Sequence, residues 1–479
     1  MSESPASNYL RIFLVGLMVT LLGLTPYPRA ATRYLLLANQ SIARGNLLSA
    51  SEDLASAGLY FPWRSDLNIQ AGRLALEASD PKATILYFER PGTLSRLSYD
   101  DKVLLGDAYL QDGEAWMAEA IWKHLGESGG TSQVYERLAN LYLQRRDYDA
   151  ALVALQNLLA LTPSDIPLYY QIGSLYAATH PIQALPFLIQ AAQIDPVRAT
   201  QARDLHDKIR TASLFDEPAY TFLIAGRQLA NSGDWELARV AFLHAVDLRP
   251  DYADAWAFLG EARGQMSVQE SGSVSISGFY ELQHALQIDA NSILANTFLG
   301  LYWERHEEYE QAADYLEHAV SLSPDDPFLY SELANILAKA GDLPAAQSVY
   351  EAAIRLNPRE PLFYRLLAEF ALEYQIQIRE LALPAARQAI ALDPDAASSL
   401  DVMAQVMLAL LDYQSAERFS LHALLVDPTF SPAYLHLGTA YLYLGESEMA
   451  HQWLSLAQLI DPDSWIAAQA KRMLEYYYP

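Results

Sequence analysis

Cysteine is absent from all 479 residues. That removes disulfides, thiol nucleophiles, cysteine-based zinc and iron–sulfur centres, and any lipidated N-terminal cysteine. Positive charge is scarce: 32 Lys and Arg stand against 58 Asp and Glu, leaving a net charge of −26. Such a surface repels phosphate backbones, which argues against nucleic acid as a partner. Basic peptides or basic protein faces remain open, beside the plain role of acidic charge in keeping a long Ala/Leu-rich chain soluble. Val and Thr are sparse while Ala, Leu and Tyr recur, a mix that favours helix over strand. With 52% hydrophobic and only 19% charged residues the chain is not disordered.

Signature motifs of catalysis are missing as well. There is no Walker-type glycine loop, GxSxG elbow, HExxH or dinucleotide fingerprint. His244, His284, His318 and His422 share one column of the repeat described below. Equivalent side chains on stacked hairpins lie roughly 8–10 Å or more apart, too far to share a zinc with bonds of about 2 Å. Pairs such as Glu307-Glu308 and Asp325-Asp326 read as solvated turn residues and not as a general acid and base. No catalytic residue, cofactor site or metal site is expected, and no stretch is long enough to house a separate enzyme domain.

Long apolar runs are limited to one. Ile12 to Leu24 is apolar except for Gly16, Thr20 and Gly23, with Arg11 before it and Thr25-Pro26-Tyr27-Pro28-Arg29 after it. The strict core has the length of a signal-peptide core, whereas residues 9–27 would make about 28 Å of helix. Cleavage after Ala30 would place Pro28 where a small residue is wanted. An uncleaved membrane anchor is therefore the leading reading, with a cleaved leader or a buried first helix as alternatives. Arg11 on one side and Arg29 and Arg33 on the other nearly cancel, so orientation stays open, with the remainder read as extracytoplasmic.

What is present in abundance is a repeat. Gly72, Gly106, Ala139 and Gly173 are spaced by 34, 33 and 34 residues, and Ala38 precedes them by 34. Gly226, Gly260, Gly300, Ala334, Ala368, Ala404 and Gly438 continue the column. Further columns hold Ala (Ala118, Ala238, Ala312, Ala346, Ala416), Ala again (Ala245, Ala319, Ala353, Ala423) and Pro (Pro250, Pro324, Pro358, Pro428). Within one unit, Tyr330, Leu333, Ala334 and Leu337 fall on one helical face. Gly341-Asp342 breaks that helix, Ala346, Tyr350 and Ala353 define a second, and Asn357-Pro358 ends it. Each unit is thus a pair of helices that small residues allow to approach closely.

These columns, standing for example as Leu299-Gly300-Trp303-Ala312-Leu316-Ala319-Pro324, resemble the tetratricopeptide repeat over about residues 31–462. The resemblance implies an all-α, right-handed superhelical solenoid of about twelve hairpins with a concave, ligand-facing side. The expected organisation is an N-terminal anchor or signal segment (1–30), an array of about five units (31–198), a junction (199–218), an array of about seven units (219–462) and a capping helix (463–479). Ala202, Leu205, Ile209 and Ala212 predict a lone helix in the junction. The Ser/Gly-rich stretch from Gly264 to Ser277 predicts a flexible loop, either a tolerated insertion or a partner-contacting finger.

In the family, the concave face is lined by fixed positions of each first helix. Carried onto this chain, they make Leu301, Asn335, Arg365, Leu435, Leu442 and Tyr443 the candidate partner-binding residues, with Leu442 and Tyr443 also readable as packing between repeats. No unit combines a basic residue at the fifth position with Asn at the ninth, so capture of chaperone C-termini is not implied. The expected function is a membrane-tethered scaffold that binds protein or peptide partners and organises an envelope-associated complex. Its alternatives are a cleaved extracytoplasmic binding protein and a non-catalytic regulatory subunit.

Overall fold

A computed structural model describes residues 13–18, 20, 26–271 and 277–478. Among them every regular element is helical and no strand occurs, so the chain is an all-α solenoid of helical hairpins. It divides into two compact units that meet in sequence at Asp216 and Glu217. The first holds hairpins Pro26–Ala43 with Leu47–Tyr60, Ser65–Glu77 with Pro81–Phe88, Tyr99–Gln111 with Ala115–Glu127, Ser132–Gln144 with Tyr148–Leu161, and Ile166–Thr179 with Pro181–Ile194. The helix Ala199–Ser213 follows, burying Ala202, Leu205, Ile209 and Ala212.

The second unit runs Pro218–Asn231 with Trp235–Leu248, Ala253–Ser271 with Phe279–Ile288, Ile293–Arg305 with Tyr309–Leu322, and Pro327–Lys339 with Leu343–Leu356. Then come Pro361–Glu373 with Leu383–Leu392, Ala397–Ala409 with Tyr413–Val426, and Ser431–Leu444 with Ser447–Ile460. The helix Trp465–Tyr477 closes the stack, its Ile466 and Ala470 packed on Leu435, Leu454 and Ala457 of the preceding hairpin.

The small-residue column explains why the hairpins close. Fifteen or sixteen residues after most glycines of this column, and 22 after Gly260, a larger side chain from the second helix lies over the glycine. Gly72 faces Phe88, Gly106 faces Trp122, Gly226 faces Phe242 and Gly300 faces Leu316. A Cβ on Gly300 would lie 2.7 Å from Leu316 Cγ, and one on Gly106 would enter the Trp122 ring. Trp122 is fully buried and donates from Nε1 to the Val103 carbonyl at 3.3 Å.

Turn chemistry repeats too. The residue seven after the small one is left-handed in unit after unit: Gly113, Gly233, Gly341 and Gly445, but also Ser79, Arg146, Glu307, Gln375 and Leu411. An Asp then caps the second helix, as Asp147 accepts from Ala150 N, Asp234 from Leu237 N and Asp342 from Ala345 N.

One departure from the expectations stands out. The stretch expected as a loop from Gly264 is helical as far as Ser271; residues 272–276 of it lie outside the described residues. Gly264 is part of the packing, since Arg305 crosses over it and a Cβ there would meet Arg305 Nη2 at 2.9 Å. Gly278 (φ +91°) lets the chain return against the Gly260 carbonyl. The first helix of the first hairpin begins at Pro26 and runs through residue 31 without a break. No helix among the described residues is long and apolar enough to cross a membrane. Most of the expected anchor, residues 9–12, 19 and 21–25, lies outside the described residues.

Two stability outcomes follow from this packing. Gly106→Ala should cost about 1–3 kcal/mol by overpacking, read as a lower urea midpoint, and adding Trp122→Leu should recover part of it. Leu411→Gly, at a φ of 63°, should gain about 1 kcal/mol by relieving a left-handed non-glycine residue. A loss on that substitution would show the turn to be held by the Leu411 side chain.

Candidate partner-binding groove

In the second unit the first helices of successive hairpins pack closely on one another at every step except from Ile293–Arg305 to Pro327–Lys339, whereas successive second helices do not. The first helices therefore lie on the inner side of the stack, and their outward positions form its groove. Polar links join one first helix to the next along it. Arg305 makes a bidentate pair with Glu261, both contacts at 3.0 Å. Lys339 Nζ donates to Glu304 at 2.6 Å, with Asn335 Nδ2 donating to the same oxygen at 3.3 Å. Arg365 donates to Ser398 Oγ at 2.6 Å. His436 Nδ1 shares a 2.6 Å hydrogen bond with Asp401, which also accepts from Gln405 Nε2 at 3.1 Å.

One step differs. Between Pro327–Lys339 and Pro361–Glu373 no hydrogen bond or ion pair joins the two first helices among the described residues. A pocket of about 220 Å³ opens there, lined by Glu332 and Asn335 from one helix and Glu369, Phe370 and Glu373 from the next, with Tyr350 and Tyr374. That is room for several waters at about 30 Å³ each. Tyr350 packs against Phe370 with ring centroids 5.3 Å apart, and Phe370 against Tyr374 at 5.5 Å.

Electrostatics in the pocket are unfavourable to the free protein. Loss of water contact pushes the Glu369 carboxyl above its ordinary range; Arg365, 3.7 Å away, pulls it down, while Asp401 and Glu373 push it further up. Glu332, whose side chain is exposed at the pocket rim, is raised by the protein packed around it and by Glu304, with Lys339 opposing. The Tyr350 hydroxyl is raised by its burial and then by Glu332, Glu369 and Glu373.

The six candidate residues separate into three groups. Leu301, Asn335 and Arg365 lie half-buried on the inner first helices; Asn335 lines the pocket, and Arg365 is engaged by Ser398. Tyr443 is 56% exposed and stacks on Tyr413 at 5.0 Å, so one ring face is taken, and Leu442 beside it is half-buried. Leu435 is only 4% exposed and sits in the core beneath Trp465–Tyr477. It is therefore a packing residue, covered by the final helix, and is not open as a groove anchor. Sequence reasoning missed Glu332, Glu373 and Tyr350. Glu369 stands 34 residues after Asn335 in the same column, so it was legible; Tyr350 reads as core from its column and only its hydroxyl makes it otherwise. Among the described residues no group of His, Asp and Glu is placed to hold a metal ion.

Helical hairpins of this period, stacked by a small-residue column and with a groove along their first helices, define a repeat solenoid. Residues 305–370 and 431–464 match tetratricopeptide repeat families, so the chain carries tetratricopeptide repeats. It is 24% identical over 296 residues to a TPR repeat-containing protein of Methanocaldococcus jannaschii, an alignment covering 54% of this chain and 50% of that protein. It is 22% identical over 226 residues to anaphase-promoting complex subunit 3 of Schizosaccharomyces pombe, covering 44% and 33% respectively. The chain thus spans half the length of the first relative and a third of the second. Among solved structures, yeast Tom70 aligns over 94% of this chain and 96% of its own at 14% identity, with a TM-score of 0.44. YrrB, a TPR protein with an unusual peptide-binding site, aligns over 40% of this chain and 97% of its own at 19% identity, with a TM-score of 0.30.

The raised Glu369 carboxyl has a testable sign. Its folded-state value lies above the ordinary 4.5, so the ionised form weakens the fold, and that penalty is present at neutral pH and gone below the ordinary value. Glu369→Gln should raise the melting temperature at pH 7, and the gain should shrink to nothing as the pH falls through the carboxylate range. A gain that persists unchanged at acid pH would show that charge is not its cause.

Proposed function

We propose that this protein is a non-catalytic interaction scaffold whose second unit takes an extended segment of a partner protein along the groove of its first helices. The observation that carries the reading is the groove itself: inner helices held in register by a ladder of polar links, presenting Leu301, Asn335 and Tyr443 to solvent beside an acidic pocket. Repeat solenoids create extended concave binding surfaces in this way, and a surface already ordered adds little ordering cost to binding. The net charge of −26 supports a partner with basic segments, whose association it would speed in a salt-sensitive manner. The relation to a named subunit of a multiprotein complex supports a role in assembly. The apolar run from Ile12 to Leu24 supports tethering of the array to a membrane, where it would organise an envelope-associated complex.

Site-specific photocrosslinking in cells tests the groove. A benzophenone amino acid at Leu301, Asn335 or Tyr443 should yield discrete adducts with the same partner. The same probe at Leu425, 82% exposed on a second helix, should not. Equal adducts from Leu425 would sink the groove assignment.

A further inference from the structure

We propose that the pocket between Pro327–Lys339 and Pro361–Glu373 is a binding site for an arginine side chain of the partner, which supplies the cation that this step of the ladder lacks. The inference deepens the scaffold reading and rests on it. From Ala253–Ser271 onward, inner helices are joined by polar links such as Arg305 to Glu261, Lys339 to Glu304 and Arg365 to Ser398. At this one step Glu332 stands on one helix and Glu369 and Glu373 on the next, with no link between them. The two nearest cations are committed elsewhere: Lys339 to Glu304 at 2.6 Å, and Arg365 to Ser398 at 2.6 Å with only a 3.7 Å contact to Glu369.

An independent feature points to a ligand. Tyr350 is 95% buried by its 5% exposure, yet it lines the pocket and its hydroxyl has no hydrogen-bond partner among the described residues. The slot facing a glycine in other hairpins holds Phe88, Trp122, Leu188, Phe242, Leu316 or Leu454, and the one polar atom among them, Trp122 Nε1, is bonded to the Val103 carbonyl. A tyrosine there places a hydroxyl in the pocket that no group among the described residues takes up, free to meet a ligand. Its ring continues into Phe370 and Tyr374, giving an aromatic wall beside the carboxylates.

Arginine fits this combination better than lysine. Its planar guanidinium offers five donors in a fork, which can meet carboxylates on opposite walls together with the Tyr350 hydroxyl. It also stacks on aromatic faces and sheds water more readily than an ammonium. Once bound, it would neutralise carboxylates that now repel one another.

The test uses fluorescein-labelled nonapeptides of alternating leucine and serine with arginine, lysine or citrulline at the centre, titrated against the full chain by anisotropy. Citrulline keeps the shape of arginine and removes its charge. The arginine peptide should bind about tenfold or more tightly than the citrulline peptide, the scale of a charged hydrogen bond, and more tightly than lysine. Glu332→Gln/Glu369→Gln/Glu373→Gln should abolish the preference without lowering the melting temperature, and Tyr350→Phe should reduce it. Equal binding of arginine and citrulline peptides, or a preference that survives the triple change, overturns the pocket. If such binding is lost with Leu301→Asp, the groove reading stands while the pocket falls. If no peptide binds, the pocket proposal falls, and the crosslinking above still decides the groove.

Discussion

The structure depends on how closely two helices of a hairpin can approach. Where Gly106, Gly226 or Gly300 occupies the first helix, the second contributes Trp122, Phe242 or Leu316 directly over the missing side chain. Where Ala139 or Ala334 stands instead, Leu155 or Tyr350 fills the slot, and all of these are buried. Size on one helix is matched by size on the other, because interiors close to crystal density tolerate neither a void nor an extra methyl group. Each hairpin has little core of its own beyond this slot, so its remaining apolar surface is buried only by its neighbours.

Stacking then decides which surface is available. First helices crowd together on the inner side while second helices splay, so polar positions on the first helices of adjacent hairpins come within bonding distance. The resulting pairs, Glu261 with Arg305 and Asp401 with His436 among them, are well shielded, with Asp401 only 3% exposed. Exposed ion pairs contribute little to stability. Shielded ones fix register, because removing one partner strands a buried charge. The ladder therefore holds the groove in one shape.

Against that background the unlinked step is where the surface is chemically incomplete. Carboxylates gather there from two helices with no cation bridging the helices, and the Tyr350 hydroxyl beside them has no protein partner among the described residues. Proteins keep such features where a ligand completes them, since local rules are broken mainly at functional sites. An acidic chain that gathers three carboxylates in one aromatic-walled pocket has a means of selecting one basic side chain from many, where its diffuse surface charge only attracts basic segments in general.

The sequence by itself determined the repeat and its hairpins, because helical period, small-residue spacing and the Gly-Asp and Pro punctuation act over a few turns of chain. Tyr330, Leu333 and Leu337 on one face, or Gly341-Asp342 between helices, are local statements with local causes. It also reached Asn335 and Arg365 through the resemblance, by column. Only the tertiary structure decided what those columns face. Leu435 shares a column with Arg365, yet the final helix covers it. Gly264 looks like a loop residue, yet it lies in a helix and makes room for Arg305. Glu332, Tyr350 and Glu369 come from three different helices, and their meeting depends on the stacking of two hairpins. A one-dimensional pattern records which residues recur, whereas the environment of each is set by residues about 34 positions away on the neighbouring turn of the solenoid.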